Sequence, residues 1–193
     1  MQAAQFILSQ SKSKKEDDGE REDEDEYMTN QEKLWNAIET AAEVRVIKDL
    51  LKKRDVDVNA KNIFDDSWTA LHYAVHEGLM EVVKILVEEY KAPIDPRSST
   101  NKTPFHLACI RGEEPLLDYL LAHGANPSVV DRDGCTPLHY LCETQNYDMV
   151  KKLLPVCAAS KDVRNRFGKK PADLVKDAEV KRMLRNFSSR LNS

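Results

Sequence analysis

The chain has 193 residues, 41% of them hydrophobic and 32% charged, with a formal net charge of -4, enough for one respectable core plus some tail. No apolar run approaches the roughly 20 residues a membrane-spanning helix needs, and FIL at 6–8 is too short for the apolar core of a secretory signal. Four cysteines are too few for a disulfide framework, which favours a reducing, cytoplasmic setting, with the nucleus also open.

Residues 1–31 are expected to form a solvated, disordered arm. Their stretch EDDGEREDEDE at 16–26 holds nine acids and one arginine, a sum of -8, and so few apolar groups cannot offset the entropy of ordering. Ser13, followed by Lys14, Lys15 and Glu16, is a context that an acid-directed kinase accepts. The other end has the opposite sign, with ten basic residues against four acids from Lys161 onward. An arm folding back over that basic end is one reading, and such attraction weakens steeply with salt.

From about residue 32 the chain repeats itself. The first copy, LWNAIETAAEVRVIKDLLKKRDVDVNAKN from Leu34, is followed by TALHYAVHEGLMEVVKILVEEY from Thr69 and TPFHLACIRGEEPLLDYLLAHGANP from Thr103. Then come TPLHYLCETQNYDMVKKLLPVC from Thr136 and a degenerate copy opening with KPADLV at Lys170. The last four starts are 34, 33 and 34 positions apart, and His72, His106 and His139 keep step. The expected repeats are about 32–65, 66–99, 100–132, 133–166 and 167–187, leaving 188–193 as a tail.

Threonine before proline predicts a helix start, because the hydroxyl caps free amides and a proline at the first helical position sacrifices no hydrogen bond. Leu71, Ala74, Phe105, Ala108, Leu138 and Leu141 then recur at the spacing that puts them on one helix face. In the second helices, Val82, Val83, Ile85 and Leu86, or Leu116, Leu117, Leu120 and Leu121, form a stripe too wide for an isolated helical pair. Only a neighbouring copy can cover it, so the copies must stack. Gly78 and Gly112 end the first helices, whereas Gln145 stands at the third such position and Asn146 is expected to supply the left-handed backbone there. Pro115 is a second departure, early in a second helix.

Stacking also decides the chemistry of GCTPLHYLC at 134–142, where His139 lies between Cys135 and Cys142. Equivalent residues of adjacent copies would be roughly 8–10 Å apart. The three histidines therefore cannot share a metal with bonds near 2 Å, and Cys109 and Cys142 are too distant for a disulfide. The histidines are expected to tie down turn backbone and the cysteines to pack as small apolar groups, Cys135 being the most exposed. There is no phosphate-cradling glycine loop, HExxH or GxSxG, and the basic end lacks interleaved aromatics. No catalyst, cofactor, metal or nucleic-acid role is expected.

TPFHLA at 103–108 and TPLHYL at 136–141 carry a specific resemblance: they are similar to the ankyrin repeat signature T-P-L-H-x-A, which recurs about every 33 residues, and depart from it only at Phe105 and Leu141. The resemblance covers about 32–187 and implies an all-α ankyrin-repeat solenoid of about five helix-turn-helix repeats, the first and last being degenerate caps. It further implies a non-enzymatic module that meets a protein partner through its β-turn tips and the exposed side of its first helices, which line a concave groove. Carried over, the tip positions are Phe64, Asp65, Asp66 and Trp68, then Asn101 and Lys102, then Arg132, Asp133 and Cys135, then Arg166, Phe167 and Lys169. The helical positions are Tyr73, His76 and Glu77, then Ile110 and Arg111, then Tyr140, Glu143 and Thr144. These residues vary from copy to copy, and variation at equivalent places can store information about a partner.

Trp68, Phe64 and Ile110 stand out, since an apolar group left at a tip or on an exposed helix face invites desolvation by a partner. Trp68, Tyr73 and Phe64 also raise the idea of an aromatic cage for a methylated lysine. The expected function is that of a small intracellular adaptor or inhibitor, monomeric by itself. The alternative is a structural subunit held permanently in a larger cytoskeletal or ciliary assembly.

Overall fold

The structure, a computed structural model, describes residues 28–187. The acidic stretch 16–26, Ser13 and the tail 188–193 lie outside the described residues. Among the described residues ten α-helices follow one another in pairs: α1 (Asn30–Glu39) and α2 (Val44–Leu51), α3 (Ala70–His76) and α4 (Met80–Lys84), α5 (Pro104–Arg111) and α6 (Glu114–Ala122), α7 (Pro137–Glu143) and α8 (Tyr147–Leu153), α9 (Pro171–Leu174) and α10 (Ala178–Asn186). The last turn of the second pair widens into a π-helix over Ile85–Glu89. Helix α1 begins two residues ahead of the expected boundary at 32, because Thr29 caps it and Glu32 returns the bond, accepting from the Thr29 N–H at 2.8 Å.

The repeated threonines and histidines do the same work at α3, α5 and α7. Thr69, Thr103 and Thr136 are the cap residues, and each donates its backbone N–H to Nδ1 of the histidine three positions on, at 3.2, 3.2 and 3.0 Å. That bond fixes the imidazole with its proton on Nε2, where in His72 and His139 it reaches the carbonyls of Lys102 and Lys169, both at 3.2 Å. These carbonyls belong to the turns that precede the next copy, so the histidine joins one repeat to another. In His106 the second bond is missing. Burial, the dominant cause, holds His72 and His106 down at about 4 and lowers His139 as well, so all three are neutral near pH 7.

First helices pack directly on one another along the row, α1 on α3, α3 on α5, α5 on α7 and α7 on α9, each also packing on its own second helix. The small side chains Ala70, Ala74 and Ala108, all fully buried, permit that approach. Second helices of successive repeats touch less than first helices do. The core runs unbroken from Leu34 to Leu184.

Each departure from the repeat has a local solution. Gln145 itself takes the left-handed backbone, at φ 58°, and Asn146 does not. The expectation for Asn146 is thereby corrected: it caps α8, accepting from the Met149 N–H at 3.3 Å, while the Gln145 amide donates to the carbonyls of Cys142 at 2.7 Å and Leu174 at 3.0 Å. Pro115 lies in the first turn of α6, where its missing N–H is not needed. Helix α9 is short because Val175 is extended, and α10 starts on an Asp177 cap that accepts from the Val180 N–H at 2.8 Å.

Candidate functional surface

Four turns project on the side where the first helices begin. Each is closed by one backbone bond, from Asn62 to Trp68 at 2.8 Å, Ser98 to Lys102 at 2.9 Å, Asp131 to Cys135 at 2.9 Å and Asn165 to Lys169 at 3.0 Å. The first encloses five residues and the other three enclose three each, a two-residue enlargement that periodicity alone does not reveal. The signal was nevertheless present: Asn62 stands seven residues before Thr69, whereas Asp131 and Asn165 stand five before Thr136 and Lys170. The enlarged turn needs two left-handed residues, Asp66 at φ 47° and Ser67 at φ 54°, where the others use only Asn101, Gly134 or Gly168.

Successive turns are bonded into a ribbon. The Ser99 N–H donates to Asp66 O at 2.7 Å, Arg132 to Thr100 O at 2.9 Å and Arg166 to Asp133 O at 2.7 Å. The Asp66 carboxylate strengthens the first of these joints, accepting from the Ser99 hydroxyl, from Thr100 N at 3.1 Å and from Thr100 Oγ1 at 2.8 Å. Partial burial pushes its pKa up, but the Ser99 and Thr100 hydrogen bonds outweigh that and hold it below the ordinary carboxylate value.

The expected binding residues divide into those turned outward and those committed to the scaffold. Phe64 is 61% exposed and Phe167 66%, while Ile110 stands 40% exposed on α5. Arg132, Lys169, His76 and Glu143 also face solvent, His76 with Nδ1 2.8 Å from Glu77. Ile63, 75% exposed beside Phe64, and Val130, 42% exposed on the third turn, were missed by the sequence reading. An isoleucine and a valine look like core until the turn that lifts them is known.

Tyr73 requires a correction: it is 1% exposed, not part of an open groove. Its ring packs in the core, and its hydroxyl donates to Asp65 at 2.6 Å while accepting from Asn62 Nδ2 at 2.9 Å, which ties the enlarged turn down. Tyr140 does the same for the third turn by donating to Asp131 at 2.5 Å. Trp68 lies half-buried over α3, edge-on to Tyr73 at 5.2 Å and 5.0 Å from His76. With Tyr73 buried and Phe64 turned out, the three rings form no aromatic cage.

Other expected contacts are also occupied within the molecule. Arg111 donates to His76 O at 2.6 Å and to Glu113 at 2.5 Å, capping α3 from the next repeat. Asn101 donates to Val130 O at 2.6 Å, Lys102 sits 5.9 Å from the Tyr140 ring, and Thr144 donates to Leu141 O at 3.2 Å. Arg166 pairs with Asp133 at 2.8 Å and covers Phe167 at 4.7 Å. Cys135 is half-buried with its N–H on Asp131 at 2.9 Å, and burial raises its thiol pKa. Cys109, Cys142 and Cys157 are buried free thiols; burial pushes the latter two up to about 12 and Cys109 well above its ordinary value. Among the described residues no three His, Cys, Asp or Glu side chains are grouped to hold a metal ion, and no helix is long and apolar enough to cross a membrane.

Comparison with known proteins agrees with this architecture. The family described as ankyrin repeats (3 copies) matches residues 4–98, 34–131 and 91–166. Ankyrin repeat domain-containing protein 53 of Mus musculus is 37% identical over 79 residues, covering 39% of this chain and 16% of that protein. Target of rapamycin complex 2 subunit AVO2 of Saccharomyces cerevisiae is 31% identical over 114 residues, covering 58% of this chain and 27% of that protein. Protein phosphatase 1 regulatory subunit 27 of Mus musculus is 39% identical over 80 residues, covering 42% and 51% respectively. The matched part thus spans between about a sixth and a half of these relatives.

Proposed function

We propose that this chain, which belongs to the ankyrin repeat family, is a small adaptor or inhibitor that binds one protein partner through its turn ribbon and the adjoining face of its first helices. The observation that carries the reading is the contrast between a stitched backbone and unspent side chains. Phe64 and Phe167 stand clear of a ribbon whose amides are already bonded from turn to turn, so an apolar contact can form there with little further ordering. One relative, protein phosphatase 1 regulatory subunit 27, is by name a regulatory subunit, which fits a role exercised by binding.

The test is affinity capture with the wild type and with a Phe64→Ala, Phe167→Ala variant, the captured proteins being identified by mass spectrometry and their affinities measured. Loss of a partner, or weakening by about 2 kcal/mol or more for an anchor, is the expected outcome, with the urea midpoint unchanged because neither ring is in the core. Identical captured proteins and affinities would count against the ribbon. A second reading, a subunit held permanently in a larger assembly, draws on the relative named as a complex subunit. Sedimentation separates the two, since a well-behaved monomer argues against obligate assembly.

A further inference from the structure

The ribbon has a charge polarity that composition conceals. Three of its carboxylates are turned inward: Asp65 accepts from Tyr73, Asp66 from Ser99 and Thr100, and Asp131 from Tyr140 and two backbone amides, while Asp133 stays partly exposed and pairs with Arg166 at 2.8 Å. Its cations are turned outward. Lys61, Arg97, Arg132, Arg164, Arg166 and Lys169 are all exposed, distributed over the four turns and interleaved with exposed Ile63, Phe64, Val130 and Phe167. The basic excess from Lys161 onward is therefore divided, and Arg164, Arg166 and Lys169 belong to the fourth turn.

The described chain begins on the same side. Gln31, in the first turn of α1, accepts from the Asp57 N–H at 2.8 Å, and Asp57 is five residues before Asn62, where the first turn closes. Residues 16–26, carrying nine acids and one arginine, join α1 there through only Tyr27, Met28 and the Thr29 cap. Thirteen residues, 16–28, can span roughly 40 Å when extended. Four turns at about 10 Å spacing occupy roughly 30 Å, so the acidic segment is long enough to run along the whole row.

We propose that the acidic segment 16–26 docks in cis along the outward, cationic edge of the turn ribbon, so that the chain covers its own recognition surface. At Lys61, Arg97, Arg132, Arg164 and Lys169 a carboxylate placed there meets a cation that holds no ribbon carboxylate, whereas at Arg166 it shares the guanidinium with Asp133. The attraction is between exposed groups, so it is strong at low ionic strength and lost when salt shortens the screening length. The proposal rests on the ribbon being the recognition surface, but its test reads an intramolecular contact, so its failure leaves partner binding to be decided by the capture experiment.

The experiment uses the full chain with Cys135→Ser, which removes the one thiol that is not buried, and Glu22→Cys bearing a spin label. Backbone amides of Arg132, Arg166 and Phe167 should lose intensity by about twofold or more at ~0.01 M salt, where the screening length is ~30 Å, and recover at ~1 M, where it is ~3 Å. Adding Arg132→Glu and Arg166→Glu should abolish the effect while leaving amide dispersion intact. Broadening confined to α1, broadening centred on α10, or an effect unchanged by salt or by the charge reversals would overturn the proposal. So would equal broadening of unlabelled-thiol, isotope-labelled protein mixed with spin-labelled protein, which would place a second copy on the ribbon.

Discussion

Gly78 shows how one residue can be fixed twice. Its φ of 75° is a left-handed value, and a Cβ there would lie 2.7 Å from Arg111 Nε, the side chain that reaches back to cap α3. Gly124 has a φ of 87° but open space around it. Gly78→Ala is therefore expected to destabilise by about 1–3 kcal/mol and to exceed Gly124→Ala, measured as urea midpoints. Adding Arg111→Ala should narrow the gap, since it removes the obstructing guanidinium. The histidines behave differently, through protons. His72 and His106 are held at about 4 in the fold against an ordinary 6.5, so between those values the unfolded chain binds protons that the folded chain refuses. Stability is thus complete above about pH 6.5 and falls as pH drops toward about 4, by on the order of 1–3 kcal/mol per histidine. Urea midpoints from about pH 7 to 4.5 should show this decline, and His72→Gln should make it shallower; a flat profile would contradict the assigned burial.

At the scale of an element, the first turn differs most from its counterparts. Two extra residues lift Ile63 and Phe64 into solvent, and Asp66 compensates by bonding the enlarged loop to the second turn through Ser99 and Thr100. Asp66→Ala is expected to cost about 1–3 kcal/mol, because several donors lose one charged acceptor. Amide exchange should accelerate at Ser99 and Thr100 while α7 stays protected, and uniform acceleration would contradict a local role. The helix starts at Thr69, Thr103 and Thr136 were legible because their chemistry is local, three residues from cap to histidine. The end of α7 was not. Asn is the residue usually chosen for left-handed backbone after glycine, but Gln145 takes it because its amide finds the Leu174 carbonyl in the next repeat, a partner that no nearby sequence discloses.

Over the whole molecule, every internal repeat is covered on both flanks, and α9 with α10 covers the last one by burying Ala172, Val175, Val180 and Leu184. Removing residues 170–193 is expected to lower the urea midpoint, reduce the m-value in proportion to the lost interface, and loosen α7 before α3. An unchanged midpoint would mean that the last pair is not part of the stack. The sequence by itself determined the number of repeats, the helix pairs and the place of the repeated histidines beside the helix caps, because a period near 33 and an apolar stripe too wide for one pair admit only stacking. Only the tertiary structure decided which variable residues face outward. Tyr73 and Phe64 are both aromatic and both vary between repeats, yet one hydroxyl bonded to Asp65 and Asn62 draws its ring into the core, while a two-residue enlargement pushes the other ring out. Burial at such positions is set by contacts between turns and between repeats, and those form only after the stack has closed.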